Sequence, residues 1–352
     1  MPRLPPSLLQ RARNISPHLA TLLPVCRDLR SAQNELRWLR EHVSASRSKP
    51  TLARLCAQRA RGAPLQYILG SQPFGDLDIR CRRGVLIPRP ETEAWVLHLA
   101  PTLASTNVGG GREKALRVVD FCTGSGCIAL LLFEQLRRRF PGLWVRGFDV
   151  AEQAVRLAKE NVRGNAGRLG LGGVGTGEVE RGVRVCNGSV GFERADIFAA
   201  DWISNLLREA GGAVDVLVSN PPYISSHGFD RDTERSVRNY EPRLALVPAQ
   251  EIQARFADCR PEDVFYARLL EIAGVLRPRV VVFEVGDLAQ AVRVVEMAGS
   301  KGEGHWDGVE IWRDWPDMIP HEDEEDTVQV GRRSVPIRGS GNGRAVFLRR
   351  AV

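Results

Sequence analysis

Arg117-Val-Val-Asp-Phe-Cys-Thr-Gly-Ser-Gly126 decides the fold. A short Val-rich run ends in a turn with two glycines, and a helical pattern opens at Ile128. Glycines at such a turn let the backbone approach a ligand closely and bend sharply into the helix. The turn is not a phosphate-binding P-loop, because no Gly-Lys-Ser/Thr follows it. A dinucleotide site would want Gly-x-Gly-x-x-Gly. Here Gly124-Ser125-Gly126 is followed by Cys127-Ile128-Ala129, and since Ala is allowed in the last place, that reading stays open on these residues alone.

Outward from the turn, short apolar runs at 144–149, 214–219 and 280–285 alternate with helical patterns at 128–140, 151–161, 264–275 and 288–298. This alternation predicts right-handed crossovers and a parallel sheet covered on both faces, an α/β fold. Runs at 309–312 and 345–348 read as a closing hairpin. Upstream, 74–81 reads as a hairpin with its turn at Arg83-Gly84, followed by a helix from Trp95, and 107–111 reads as a surface loop. Leu36, Leu39 and Val43, then Leu52, Leu55 and Cys56, have helical spacing, with a break at 48–50 between two helices. The expected organisation is a helical domain over residues 1–70, a hairpin and connecting segment over 71–115, and the α/β domain over 116–352. Insertions near 164–182, 249–261 and 316–343 read as mobile surface loops, the last carrying the acidic run Glu322-Asp-Glu-Glu-Asp326. Residues 1–27 hold four arginines and no acid, which fits either an organelle targeting segment or an exposed helix interrupted by its five prolines.

The chain has 352 residues, with 49 Lys and Arg against 42 Asp and Glu, a formal charge of +7. It is 43% hydrophobic and 26% charged, which excludes wholesale disorder and fibrous repeats. No stretch approaches the roughly 18 apolar residues of a membrane span. Seven cysteines without paired spacing point to a reducing compartment. Six histidines, none in metal-ligand spacing, give no reason to expect a metal.

Two further features carry chemistry. Asp149 ends the second strand, placed to accept both hydroxyls of a ribose or to cap the next helix. Asp196, one strand later, reads either as an acceptor for an adenine amino group or as a solvated loop carboxylate. Val216-Leu-Val-Ser-Asn220-Pro221-Pro222-Tyr223 runs a buried strand into a polar and aromatic tetrapeptide. That position, the carboxyl end of a parallel strand, is where open α/β sheets bind ligands. The Asn220 side-chain carbonyl and the Pro221 main-chain carbonyl can accept both hydrogens of a planar NH2, and Tyr223 offers a flat face. Such a grip suits methylation of a nitrogen whose lone pair is delocalised, with catalysis from positioning and electrostatics and without a dedicated base.

In this order, Asp120–Gly126, Asp149 and Asn220–Tyr223 resemble class I S-adenosylmethionine-dependent methyltransferases acting on amide or exocyclic amino nitrogens. More narrowly, Gly84-Val-Leu-Ile-Pro-Arg-Pro-Glu-Thr-Glu93 resembles the HemK/PrmC family, which methylates the glutamine of the Gly-Gly-Gln motif in peptide chain release factors. Ala63-Pro-Leu-Gln-Tyr-Ile-Leu-Gly70 and Tyr240-Glu-Pro-Arg-Leu-Ala-Leu246 extend the similarity over roughly residues 30–300. The resemblance implies a Rossmann-like seven-stranded sheet behind a small helical domain that recognises the substrate. It implies S-adenosyl-L-methionine as cofactor, leaving as S-adenosyl-L-homocysteine, with no metal. Cys122, Thr123, Gly124, Ser125 and Gly126 become the cofactor cradle, Asp149 the ribose ligand, and Asp196 with Ile197 the adenine flank. Asn220 meets both cofactor and substrate, Pro221, Pro222 and Tyr223 complete the glutamine pocket, and Glu91 and Thr92 lie near the cofactor's methionine end. The family usually has glycine where this chain has Cys122, at a cost on the order of 1 kcal/mol if that position requires positive φ.

The implied partner is a release factor, with indirect ribosome proximity, no direct sequence-specific nucleic acid and no membrane. The implied place is the mitochondrial matrix, with the cytoplasm as alternative, because members with a helical N-terminal domain are bacterial or organellar. Two rivals share the fold. An adenine N(6)-methyltransferase needs the same grip on NH2, but also a basic target-recognition block that this sequence lacks. A catalytically silent translation-factor-binding protein would have no use for an intact Asn220–Tyr223.

Overall fold

The computed structural model describes residues 3–46, 48, 50–105, 115–171, 183–185, 188–199, 202–254, 256, 258–300 and 306–350. The expected loop at 107–111 lies outside them, as does 172–182 of the first insertion.

Five helices open the chain: Pro6–Ile15, Pro17–Cys26, Leu29–Ala45, Leu52–Ala60 and Leu65–Leu69. Two of the early prolines, Pro6 and Pro17, begin helices rather than breaking one. The first turn of a helix has no use for their missing N–H. The Ser16 hydroxyl caps the second helix by accepting from the His18 amide. Leu19, Leu22 and Leu23 from this proline-rich start are buried with Leu36, Leu39, Leu55 and Cys56 in one cluster. Residues 6–26 are thus part of the helical core.

A two-stranded hairpin follows, β1 (Ser71–Phe74) and β2 (Leu77–Arg80). Its turn is at Gly75-Asp76 and not at Arg83-Gly84, because Phe74 already pairs with Leu77. Gly75 has φ +56, and a Cβ there would lie 2.6 Å from Leu131. The outer edge of β2 is satisfied by side chains: Asn165 Oδ1 accepts from the Asp78 amide and Asn161 Oδ1 from the Arg80 amide. The next helix, Pro90–Ser105, starts five residues before Trp95. Pro90 suits a first helical position, and Glu91 and Glu93 suit the positive end of the helix dipole.

The main sheet contains β3 (Ala115–Phe121), β4 (Gly142–Asp149), β5 (Val183–Val185), β6 (Gly188–Arg194), β7 (Val216–Ser219), β8 (Val280–Glu284), β9 (Gly308–Trp315), β10 (Thr327–Val330), β11 (Arg333–Arg338) and β12 (Ser340–Arg349). Its order is β10-β11-β9-β12-β8-β7-β3-β4-β6-β5. The run β6-β4-β3-β7-β8 is parallel, and β12 pairs antiparallel with both β8 and β9. The α/β expectation is borne out, but among the described residues the sheet has ten strands where seven were expected. Edge strand β5 and the β10-β11 pair supply the difference. All of β7 and β8 is buried, as apolar runs without alternation require. Two apolar clusters, one on each face, sandwich the sheet.

Two insertions depart from the mobile-loop expectation. Segment 316–343 contains β10 and β11, with β11 parallel to β9. Val330, Val335 and Ile337 are buried, so alternating apolar residues beneath an acidic and Gly/Arg-rich surface form strands. Glu324, in the acidic run, accepts from the amides of His321 and Gly341. In 249–261 a short helix, Gln250–Gln253, packs Ile252 against the core. Among the described residues no helix is long and apolar enough to cross a membrane.

Candidate active site

Strand order reverses at β3, which has β4 on one side and β7 on the other. Such a switch point opens a crevice at the carboxyl ends of the strands. The glycine turn enters it from β3. Cys122, Gly124 and Gly126 all have positive φ (59°, 55° and 80°), so Cys122 occupies the left-handed region in a position that favours glycine. Burial pushes its thiol pKa well up, which keeps the sulfur neutral. Thr123 donates its amide to the Phe148 carbonyl at 3.0 Å and its hydroxyl to Asp120 at 2.6 Å. Gly126 packs behind the turn, where a Cβ would lie 2.8 Å from Phe192 and 3.0 Å from Ala158. Asn161, which holds β2 through its Oδ1, donates its Nδ2 to the Ser125 carbonyl at 2.9 Å.

Asp149 sits where the glycine turn meets the start of the next helix, Glu152–Gly164, whose N-cap is Ala151. Its Oδ1 accepts from the Ala151 amide, starting the next helix, and its Oδ2 accepts from the Gly124 amide, each at 2.9 Å. Each oxygen retains a lone pair, and the residue lines the crevice. Burial raises its pKa, and the backbone donors oppose that shift. Asp196 accepts from the Phe198 amide at 2.9 Å.

A cavity of about 260 Å³ brings together Cys122, Thr123, Gly124, Ser125, Asp149, Asp196, Ile197, Asn220 and Pro222. Its far wall is the 84–89 segment, with Thr92, Ile252 and Phe265. A second cavity of about 610 Å³ adjoins it, lined by Asn220, Tyr223, Glu284, Gln290 and Arg344. Asn220, Leu86 and Arg89 line both. Of the expected site residues, Glu91, Gly126 and Pro221 line neither cavity, and Pro221 is buried.

Several residues that build this site were given no role from the sequence: Glu241 and Tyr67 lie in the stretches 240–246 and 63–70, and Gln290 and Glu284 lie in no motif. Glu241 is buried and accepts from the Ile87 amide at 3.0 Å and from Arg89 at 2.6 Å, fastening the 84–89 wall. Tyr67, from the helical domain, donates to the Val85 carbonyl at 2.8 Å. Gln290 donates to the Tyr223 carbonyl at 3.2 Å. Glu284, at the end of β8, receives Thr92, Trp95 and Tyr223. Its one sequence signal was an acid closing a five-residue buried strand at the ligand-binding end of the sheet.

No protein-family model matches the chain. Among curated proteins, the mitochondrial MRF1 N(5)-glutamine methyltransferase MTQ1 of Saccharomyces cerevisiae is 37% identical over 247 residues, 70% of this chain and 68% of that one. The chain belongs to the release factor glutamine methyltransferase family. A probable MRF1 mitochondrial N(5)-glutamine methyltransferase of Schizosaccharomyces pombe is 32% identical over 304 residues, 83% of this chain and 87% of that one. The release factor glutamine methyltransferase of Nitratidesulfovibrio vulgaris is 30% identical over 309 residues, 87% of each chain. The sequence resemblance is therefore borne out over most of the chain, and the protein is an enzyme, a methyltransferase.

Proposed function

We propose that the protein methylates the side-chain amide nitrogen of the glutamine in the Gly-Gly-Gln motif of a peptide chain release factor, with S-adenosylmethionine as donor. The observation that carries this is the position of Asn220, shared by both cavities at the carboxyl end of a central strand. The first cavity suits the donor by its chemistry. The Asp149 carboxylate has lone pairs for a diol, and Asp196 beside apolar Ile197, Phe198 and Phe265 suits an amino-bearing flat base. Within this reading Cys122 to Gly126 form the cradle, of which Gly126 holds the turn from behind. S-adenosylmethionine, when bound, supplies an electrophilic sulfonium methyl group.

The chain's own contribution is positioning. The Asn220 Oδ1 accepts one N–H of the glutamine amide, and the Pro221 carbonyl is the second acceptor. Accepting both hydrogens holds the nitrogen and favours the pyramidal geometry that frees its lone pair. Tyr223 and Pro222 wall the flat amide and exclude water. The nitrogen's surplus proton departs after methyl transfer, so no general base of lowered or raised pKa is required at the start. The helical domain adds remote contacts to the release factor. The compartment is the mitochondrial matrix, a placement supported by the mitochondrial names of the two yeast relatives.

The test is mass spectrometry of a release factor after incubation with enzyme and S-adenosylmethionine, with an adenine-containing oligonucleotide in parallel. One added methyl on the Gly-Gly-Gln glutamine is expected. Methylation of the oligonucleotide alone, or of neither, would sink the proposal.

A further inference from the structure

Glu284 is a buried acid beside the acceptor cavity to which the mechanism gives no task. Glu284 is 1% exposed. Its Oε2 accepts from the Thr92 hydroxyl at 2.6 Å and from Trp95 Nε1 at 2.8 Å, and its Oε1 accepts from the Tyr223 hydroxyl at 3.2 Å. A threonine hydroxyl has a single proton. Because that proton points to Glu284, the Thr92 oxygen can only accept on its other side. What stands there is the Asn220 side-chain amide, with Nδ2 at 3.4 Å. The hydroxyl therefore selects the NH2 end of Asn220 for itself and leaves Oδ1 to the cavities. A reversed amide would offer a glutamine N–H another donor in place of an acceptor.

We infer that Glu284 is the positioning residue of this site: through Thr92 it sets which end of the Asn220 amide meets the acceptor nitrogen, and through the Tyr223 hydroxyl it fixes the ring that walls the acceptor cavity. The inference rests on the proposed transfer to a glutamine amide. The relay needs Glu284 ionised, since a protonated carboxyl could donate to Thr92 and reverse it. Burial pushes the Glu284 pKa up, while its hydrogen-bond donors and the nearby Arg344 guanidinium pull it down. Arg344 comes from β12 and is itself paired with Asp314 of β9 at 2.7 Å; the other titratable groups at Glu284 are Tyr223, Tyr266, whose hydroxyl donates to the Glu284 main-chain carbonyl at 2.7 Å, and Cys127. Turnover then falls as pH drops through the raised pKa of Glu284.

The experiment compares wild type with Glu284→Gln, Thr92→Val and Thr92→Ser, reading kcat and KM on a Gly-Gly-Gln release factor, S-adenosylmethionine Kd by calorimetry, and Tm. Glu284→Gln and Thr92→Val should lower kcat at least about tenfold while Kd stays within about twofold and Tm shows a folded protein. Thr92→Ser, which restores the hydroxyl, should recover most of the kcat lost in Thr92→Val. The acid limb of the wild-type kcat profile should be missing from Glu284→Gln. If Glu284→Gln does not fold, Thr92→Val and Thr92→Ser decide alone. A folded Thr92→Val with wild-type kcat, or a Thr92→Ser as impaired as Thr92→Val, overturns the inference while an active wild type keeps the proposed function. A wild type that does not methylate the release factor overturns both.

Discussion

Asn220 and Asp149 line the crevice and Asp120 is buried beneath its glycine turn, and each should fail differently when altered. Asn220→Ala removes the acceptor at the junction of the two cavities. Turnover should fall by about 100-fold or more while most S-adenosylmethionine affinity and the Tm are kept, which single-turnover kinetics and calorimetry can check. Asp149→Ala should weaken S-adenosylmethionine binding by about 1–3 kcal/mol through lost charge-assisted bonds, and a titration finding unchanged Kd would leave Asp149 only its two backbone contacts. Asp120 lies fully buried behind the turn, and burial lifts its pKa to about 7. The folded chain therefore keeps a proton that the unfolded chain gives up near about pH 4. Its effect on stability is unfavourable once the unfolded form ionises, so stability falls as pH climbs from about 4 to about 7 and then levels. Asp120→Asn should escape this loss. Relative to wild type it should gain on the order of a few kcal/mol between the two ends of that window, measured by urea unfolding at each. Cys122 is a different matter: at φ 59° it accepts the roughly 1–2 kcal/mol strain of a side chain in the left-handed region, which the glycine usual in the family would not incur.

Elements divide by how local their determinants are. The parallel strands were legible because β7 and β8 open on the apolar runs Val216–Val218 and Val280–Phe283 and β3 holds a Val-Val pair ahead of the glycine turn, as strands buried on both faces require. The glycine turn and the Asn220 tetrapeptide were legible for a similar reason, each being contiguous. What escaped depends on partners far along the chain. Glu284 meets Thr92 across 192 residues and Glu241 meets Arg89 across 152, so neither pairing leaves a trace in spacing. The β10-β11 pair escaped because Glu322–Asp326 and the glycines and arginines of 331–344 advertise solvent, while Val330, Val335 and Ile337 face inward two residues apart or at the turn. Val335→Asp separates the two readings of this segment. A surface loop would tolerate it, whereas a carboxylate at this fully buried position should cost at least about 2 kcal/mol, seen as a lowered Tm.

The molecule as a whole joins a helical domain to the crevice through few but well-placed contacts, among them Tyr67 to Val85 and Tyr240 to the Arg61 carbonyl at 3.4 Å. Deleting residues 1–65 should therefore lower kcat/KM on an intact release factor more than on a Gly-Gly-Gln peptide, and equal losses on both substrates would remove the domain from recognition. Because Leu19, Leu22 and Leu23 complete the helical core, the matrix assignment does not depend on cleavage within 1–27. Imaging of the full-length tagged protein should give a mitochondrial signal, and a diffuse cytosolic one would refute the compartment. The placement of β12 between β8 and β9 bears on how such a chain is made. During synthesis β9, β10 and β11 leave the ribosome before the strand that joins them to the sheet, so they wait unattached while β8 presents an open edge. Every parallel strand of the crevice can already be in register at that stage, yet the nascent protein carries two unpaired edges prone to pair with other chains. Strand β12, made after the strands it joins, thus acts as a late clasp, and chaperone demand should peak just before residues 340–349 emerge.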